Sequence, residues 1–135
     1  MKADPVTVDF DRLAAFFRSD PNVACATVFG SSTEGKVAPG SDLDIAVLFR
    51  VPLAAGEATL CYYTSLCDAV SEVDRVDFIN LNKANPILAF EALRGRMCCK
   101  NDPDATAAFT SLTCREYEDI TGYLAYLRRQ LSAAA

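Results

Sequence analysis

The chain has 135 residues, of which 51% are apolar and 23% charged, and it contains no histidine. A chain of this length and apolar content can bury enough surface to fold as one domain, spanning residues 1–135, and is not a disordered tail. The missing imidazole excludes Ser-His-Asp and Cys-His nucleophile systems and His-ligated zinc, and the formal net charge of −5 argues against stable binding of nucleic acid.

Cysteine usage and hydropathy bear on the compartment. The six cysteines form no C-x-x-C pair, and two of them, Cys98 and Cys99, are adjacent. This spacing fits no ordinary disulfide framework, so we expect reduced and mostly buried thiols. The N-terminal segment has no continuous apolar stretch, and no apolar run in the chain is long enough to span a bilayer. We therefore expect a cytoplasmic protein with no membrane partner.

The first predicted elements are a helix and a strand. Asp9 can cap a helix whose apolar residues, between Phe10 and Phe17, recur at helical spacing until Ser19-Asp20-Pro21 ends it. The segment from Val23 to Phe29 is rich in β-branched and small apolar residues, which predicts a strand that stops at Gly30. A loop with several turn-type residues follows.

The second predicted strand brings two carboxylates to one face. Side chains alternate between Asp42 and Phe49, so Asp42 and Asp44 share a face. Apolar residues then recur at helical spacing from Gly56 to Val73, which predicts a crossover helix before a third strand, Arg75 to Leu81. Asp77 is the acidic residue inside that strand. The apolar stripe of the crossover helix comprises Leu60, Tyr63, Cys67, Val70 and Val73.

The remaining predicted elements are two helices with a short strand between them. Asn85 and Pro86 provide a cap and a first helical position for a helix that Gly95 closes, and Arg96 to Lys100 predicts an edge strand. A C-terminal helical segment, about 103–131, is expected to break near Thr110. The order α-β-β-α-β-α-β-α predicts an α/β (α+β) fold in which helices cover a small mixed sheet.

The apolar stripe of the last helix has two interpretations. It can pack on the sheet, or it can form a contact with another protein together with flanking aromatic and basic residues. The stripe comprises Phe109, Leu112, Ile120, Leu124, Leu127 and Leu131, and the flanking residues are Tyr117, Tyr123, Tyr126, Arg128 and Arg129. Neither interpretation excludes the other.

Asp42, Asp44 and Asp77 are the candidate catalytic and metal-binding residues. Two carboxylates on one strand face can share a pair of divalent ions, and a third on a neighbouring strand completes such a site. Mg²⁺ suits it, because this ion takes a few carboxylates and fills its shell with water and substrate phosphates. Gly30 and Ser31 directly follow a strand and offer an unhindered backbone and a hydroxyl to a triphosphate. The pattern predicts a site for two Mg²⁺ ions and a nucleotide.

The motif Gly30-Ser31, ten residues, then Asp42-Leu43-Asp44 resembles that of the minimal nucleotidyltransferases, the MNT family of the DNA polymerase β superfamily. The similar stretch runs from Val28 to Phe49, and a later acidic strand follows at Arg75 to Asn82. The resemblance implies a polymerase β-like palm fold. It also implies that Asp42 and Asp44 bind metal, that Asp77 is the third carboxylate and helps deprotonate the attacking hydroxyl, and that Gly30 and Ser31 hold the nucleotide phosphates.

Within that family the chain is similar to the adenylyltransferase antitoxins of HEPN–MNT toxin–antitoxin systems. This likeness implies Mg²⁺-dependent transfer of AMP from ATP to a tyrosine hydroxyl of a partner HEPN toxin. One departure concerns the turn, where many relatives have arginines and this chain has Glu34. A negative charge there weakens nucleotide binding, and Lys36 offsets part of the effect. Residues 75–100 carry a local excess of positive charge that can face either the leaving pyrophosphate or solvent.

Two alternatives remain open. Glu34 is a reason to expect a stoichiometric antitoxin, which binds its partner while its own nucleotide site is degenerate. Nucleotidyl transfer to a small molecule, such as an aminoglycoside, would use the same metal site. The chain is short for the additional acceptor-binding domain of such enzymes, unless a dimer supplies the cleft.

Overall fold

The computed structural model describes residues 4–134, so residues 1–3 and 135 of the predicted domain lie outside the description. The strands of the main sheet are β2 (Val23–Phe29), β4 (Leu43–Phe49), β5 (Val76–Asn80) and β6 (Arg96–Lys100), in the spatial order β5-β4-β2-β6. A separate small sheet pairs β1 (Val6–Thr7) with β3 (Lys36–Val37). The helices are α1 (Phe10–Arg18), α2 (Glu57–Ala69), α3 (Pro86–Leu93) and α4 (Pro103–Ala134).

The main sheet is mixed, as the sequence predicts. Strand β4 runs antiparallel to β2 and parallel to β5, while β2 runs antiparallel to β6. A parallel pair needs a crossover connection, and α2 provides it between β4 and β5. The predicted α/β fold, with helices covering a small mixed sheet, is therefore confirmed. The β1–β3 pair was not predicted, because two residues per strand are too few to show a periodic pattern.

Side-chain caps begin the helices where the sequence predicts them. The carboxylate of Asp9 accepts a hydrogen bond from the backbone N–H of Arg12 at 3.0 Å, which caps α1. The side chain of Asn85 accepts one from the N–H of Leu88 at 2.9 Å, with Pro86 in the first turn of α3. Both helices are short, so these caps contribute noticeably to their stability.

The sheet lies between two layers of helix. On one face, side chains of α1 and α2 such as Phe17 and Leu66 pack with Ile45 and Val47 of β4. On the other face, Ala89 and Ala92 of α3 form a second cluster with small residues of β2 and β4. Because β2 and β4 are covered on both faces, nearly all their residues are buried. The two exceptions, Phe29 and Asp44, are half-buried and pair with each other at one end of the strands.

Helix α4 differs from the sequence expectation. It runs without a break from Pro103 to Ala134, so the predicted break near Thr110 is wrong. The hydroxyl of Thr110 donates to the carbonyl of Thr106, at 2.8 Å, and thereby bonds within its own helix. A β-branched residue in this position is accommodated because propensity alone is a weak determinant of helix continuity.

Two further expectations need correction. Leu60 belongs to the predicted apolar stripe of the crossover helix, but its side chain is 64% exposed, and α2 is shorter than the predicted range of residues 56–73. All six cysteines are free thiols, as expected, but only Cys25 and Cys99 are buried. The helical phase was misjudged because apolar residues recur in this segment on more than one face.

The second half of α4 extends away from the sheet. Tyr117 stacks on Phe90 of α3 with ring centroids 3.8 Å apart, and beyond it large apolar side chains such as Leu124 and Leu131 are exposed. The first half of α4 packs on α3 and β2, whereas the second half exposes an apolar surface that can form a protein contact. Within residues 4–134, no helix combines the length and apolar character needed to cross a membrane.

Candidate functional site

The strand register brings the predicted site residues together at one end of the sheet. Asp44 lies opposite Asp77 in the parallel β4–β5 pair, and opposite Phe29 in the antiparallel β2–β4 pair. Gly30 follows Phe29 directly. The carboxylate of Asp44 is thus flanked by the Gly30 turn on one side and by Asp77 on the other.

Asp77 lies close enough to Asp44 to affect the pKa of the Asp44 carboxyl. Partial burial, the charge of Asp77, a side-chain hydrogen bond with Asp77 and, least, the charge of Asp42 raise the pKa of Asp44 above its usual value. Two carboxylates held together in this way repel each other when both are ionised. A divalent cation between them would remove that repulsion, so the pair has the chemistry of a cation site.

Asp42 is held by a different partner. Its Oδ1 atom lies 3.1 Å from Nε of Arg75, and an Nη atom of Arg75 donates to the carbonyl of Gly40 at 2.7 Å. Among residues 4–134, no group of three or more acidic or cysteine side chains is close enough to hold a metal ion. The donor set nevertheless fits Mg²⁺: the ion pair is largely exposed on both sides, so releasing Asp42 from Arg75 costs little.

The Gly30 turn fits closely against Asp44. Gly30 has a φ of +75°, and a Cβ atom there would collide with Oδ2 of Asp44. Residues Gly30–Ser32 form one turn of 3-10 helix, closed by a 2.6 Å hydrogen bond from the hydroxyl of Thr33 to the carbonyl of Gly30. Ser32 is buried, whereas Ser31 is exposed. Ser31, which follows Gly30 in the chain, is therefore the serine of this turn that is open to solvent.

The sequence predicts a role for Arg96 only as one member of the positively charged segment 75–100. Arg96 pairs with Val28 in the register of β2 and β6, close to the Gly30 turn. Its guanidinium carbon lies 3.7 Å from the ring centroid of Phe10. The Phe10 ring lies against Gly35, three residues after the Gly30–Ser32 turn. Lys100, by contrast, pairs with Cys25 near the other end of β2. Because β6 pairs antiparallel with β2, Arg96 lies near the Gly30 turn and Lys100 lies away from it. The sequence alone does not show this pairing.

A known family has this sequence pattern. The profile of the family described as polymerase β nucleotidyltransferase matches residues 11–104, a range that contains the three aspartates and the Gly30 turn. The chain therefore belongs to this nucleotidyltransferase family. No curated protein matches the chain at a significant level.

Solved structures share the fold. A mutant form of the toxin–antitoxin pair MntA–HpeT gives a TM-score of 0.71 at 17% identity, covering 92% of this chain and 98% of that chain. A toxin–antitoxin structure with AMP-PNP gives 0.71 at 19% identity, with coverages of 92% and 98%. A tri-AMPylated Shewanella oneidensis HEPN toxin in complex with its MNT antitoxin gives 0.66 at 18% identity, with 91% and 95%. The chain therefore shares the fold of these structures.

Proposed function

We propose that this chain is a Mg²⁺-dependent nucleotidyltransferase that moves AMP from ATP to a tyrosine hydroxyl of a HEPN toxin, and that it acts as the antitoxin in the cytoplasm. The observation that carries the proposal is the position of Asp44, between the Gly30 turn and Asp77. This arrangement supplies a phosphate-binding turn, a cation-binding carboxylate and a proton acceptor in one row.

Each residue has a distinct part in the proposed reaction. Ser31 and the backbone of its turn bind the triphosphate, and Asp77 accepts the proton of the attacking hydroxyl. Asp42, Asp44 and Asp77 would hold Mg²⁺, which neutralises phosphate charge when bound. The hydroxyl oxygen forms a bond to the α-phosphorus while the bond from that phosphorus to the β-phosphate bridging oxygen breaks. The products are the AMP ester and pyrophosphate.

The relatives support this choice of substrate and partner. One related structure contains an AMPylated HEPN toxin with an MNT antitoxin, and another contains the nucleotide analogue AMP-PNP. Those facts describe the relatives. For this chain, the matching evidence is the family membership and the placement of Asp44.

A transfer assay tests the proposal. Incubation of the chain with a cognate HEPN toxin, ATP and Mg²⁺ should add the mass of one or more AMP groups to the toxin, as read by intact-mass spectrometry. EDTA should prevent the addition. Absence of any adduct with a toxin that the chain does neutralise would contradict the proposal, as would an adduct that forms equally in EDTA.

A second candidate is neutralisation by stoichiometric binding. Glu34 in the phosphate turn favours it, as does the exposed apolar end of α4, which can form a protein contact. A double variant, Asp42→Ala/Asp44→Ala, separates the two functions, because it removes the cation site and leaves α4 intact. If this variant protects cells from the toxin as well as the wild type, sequestration is sufficient and transfer is not required.

Arg96 is expected to strengthen ATP binding. Arg96 pairs with Val28, two residues before the turn proposed to hold the phosphates, and its guanidinium stacks on Phe10. Arg96→Ala should therefore raise the KM for ATP by about 10-fold, the effect of one charge-assisted contact. Lys100→Gln is the matched control, since it removes a positive charge from the other end of the same strand. Equal KM values for ATP in the two variants would show that Arg96 does not contact the phosphates.

A further inference from the structure

The second half of α4 carries large apolar side chains that are open to solvent. Of the α4 residues that the structure describes, Thr106 and Thr113 are the buried ones, and both lie in the first half. In the second half, Tyr123 is 60% exposed, Leu124 47% and Leu131 74%. Large apolar side chains grouped on one stretch of surface mark a contact with another molecule.

The spacing of the apolar residues indicates that the contacting element is another helix. They recur along α4 at alternating intervals of three and four, at Tyr117, Ile120, Leu124, Leu127 and Leu131. A period of about 3.5 residues is the pattern with which two helices pack along a common seam. A short stretch of helix without such packing is only marginally stable in water. This half of α4 is therefore suited to pair with a second helix.

The charges on this half of α4 complement a second copy of the same helix. Its beginning is acidic and its end is basic, and all the charged side chains are exposed: Glu116, Glu118 and Asp119, which outnumber Arg115, and then Arg128 and Arg129. When two such helices run antiparallel, the basic end of each lies beside the acidic beginning of the other. Parallel pairing would bring like charges together, so the charges favour the antiparallel arrangement.

The apolar residues fit the same antiparallel arrangement. The midpoint between the acidic and the basic segment falls at about residue 123, about 8 Å along the helix from the centre of either. Tyr123 and Leu124 are thus at the level of the two-fold axis, where the two copies of a symmetric pair meet. The part of α4 that packs on its own domain, up to Tyr117, then lies at opposite ends of the pair, which keeps the two domains apart.

We propose that the second half of α4 is a self-association surface, and that two copies of this chain pair through it in antiparallel orientation about a two-fold axis near Leu124. The apolar seam provides the contact, and the charged segments set the orientation. A contact along one helix of this length is small for a stable interface, so we expect a dissociation constant in the micromolar range. The inference goes beyond the proposed transferase activity and does not depend on it, because no candidate site residue lies in α4.

Analytical ultracentrifugation of the full chain, from about 1 to 500 µM, tests the pairing. The wild type should change from monomer to dimer across this series, and added salt should weaken the dimer. Leu124→Asp should raise the dissociation constant by about 10-fold or more, because it places two like charges at the axis. Ala125→Asp is the matched control, since it adds the same charge at an exposed position about 100° around the helix. Circular dichroism verifies that both variants keep the fold.

An exchange of charges tests the orientation. Arg128→Glu/Arg129→Glu should weaken self-association by about 5-fold or more, and Glu118→Arg/Asp119→Arg should do the same, because each variant places like charges side by side at both ends of the pair. An equimolar mixture of the two variants should form a heterodimer at least as tight as the wild-type dimer, since acidic segments then face basic ones. Equal self-association of the wild type and both charge variants would contradict the antiparallel pairing.

The remaining outcomes decide between a second copy and another partner. A wild type that stays monomeric across the concentration series overturns the inference, as does a dimer that Leu124→Asp and Ala125→Asp weaken equally or not at all. If the wild type is monomeric and Leu124→Asp loses binding to a HEPN toxin, the exposed half of α4 is a toxin contact and not a self-association surface.

Discussion

Asp44→Asn should lower AMP transfer by roughly 10³-fold or more and leave the fold intact. Asp44 lies between the Gly30 turn and Asp77, so loss of its charge would remove the central ligand of the proposed cation site. A bound cation supplies several kcal/mol of transition-state stabilisation, which corresponds to this change in rate. Initial rates of adduct formation, measured by mass spectrometry at saturating ATP, provide the comparison.

Asp68→Asn is the matched control for this experiment. Asp68 is an exposed residue of α2 whose side chain forms no ion pair within residues 4–134, so its replacement should leave the rate unchanged. Mg²⁺ with ATP should also raise the melting temperature of the wild type and of Asp68→Asn, but not that of Asp44→Asn. Wild-type transfer by Asp44→Asn would remove the basis of the proposed mechanism.

Asp44→Asn should also alter the pH dependence of the free energy of unfolding when EDTA keeps the protein free of metal. The pKa of Asp44 is raised in the folded chain by burial and by Asp77, so the folded state binds this proton more tightly than the unfolded state does. The stabilisation that comes from binding this proton is present at low pH, and it is lost as the pH rises through the pKa of Asp44 in the folded chain. Urea unfolding should therefore show wild type and Asp44→Asn nearly equal in acid, with the variant becoming the more stable towards neutral pH. A difference that does not vary with pH would contradict this account of the acidic pair.

Gly30→Ala should lower AMP transfer by about 10²-fold and destabilise the protein. The new Cβ would collide with Oδ2 of Asp44, so the carboxylate must move away from its position beside Asp77. Misplacement of a reacting group by about 1 Å can lower the rate about 100-fold. The left-handed backbone at Gly30 adds roughly 1–2 kcal/mol of strain for any residue with a Cβ.

Gly40→Ala isolates the effect of the collision. Gly40 has a φ of +78°, close to the +75° of Gly30, but a Cβ there would meet nothing within 4 Å. The two variants therefore carry a similar backbone strain, and only one of them disturbs Asp44. Chemical denaturation and transfer rates measured on both should show comparable stability losses from strain and a loss of activity confined to Gly30→Ala. An equal loss of activity in Gly40→Ala would mean that backbone strain, and not contact with Asp44, is responsible.

Much of the fold follows from local signals in the sequence. Asp9 and Asn85 act as caps, and the alternation predicts β4, which contains Asp44 and begins directly after Asp42. These features depend on neighbours in the chain, so periodicity and capping rules are sufficient to predict them. The pairing of Asp44 with Asp77 follows once β4 and β5 are taken as parallel neighbours joined by a helix.

The remaining features depend on contacts between distant residues. Nothing near Asp42 in the sequence indicates that Arg75 will bind it, because that pair forms only when the start of β5 comes to lie beside the loop before β4. The position of Arg96 depends in the same way on the pairing of β6 with β2. Leu60 has the spacing of the apolar stripe of the crossover helix, whereas the protein exposes its side chain beside a cavity.

The contact of Arg75 with both Asp42 and the carbonyl of Gly40 has a consequence for metal uptake. A cation that reaches Asp42 does not meet a bare carboxylate, because a guanidinium group already neutralises it. If Asp42 is the third ligand, as proposed, its loading would exchange one positive partner for another. The local charge balance at this corner changes less than the arrival of a divalent ion alone would suggest.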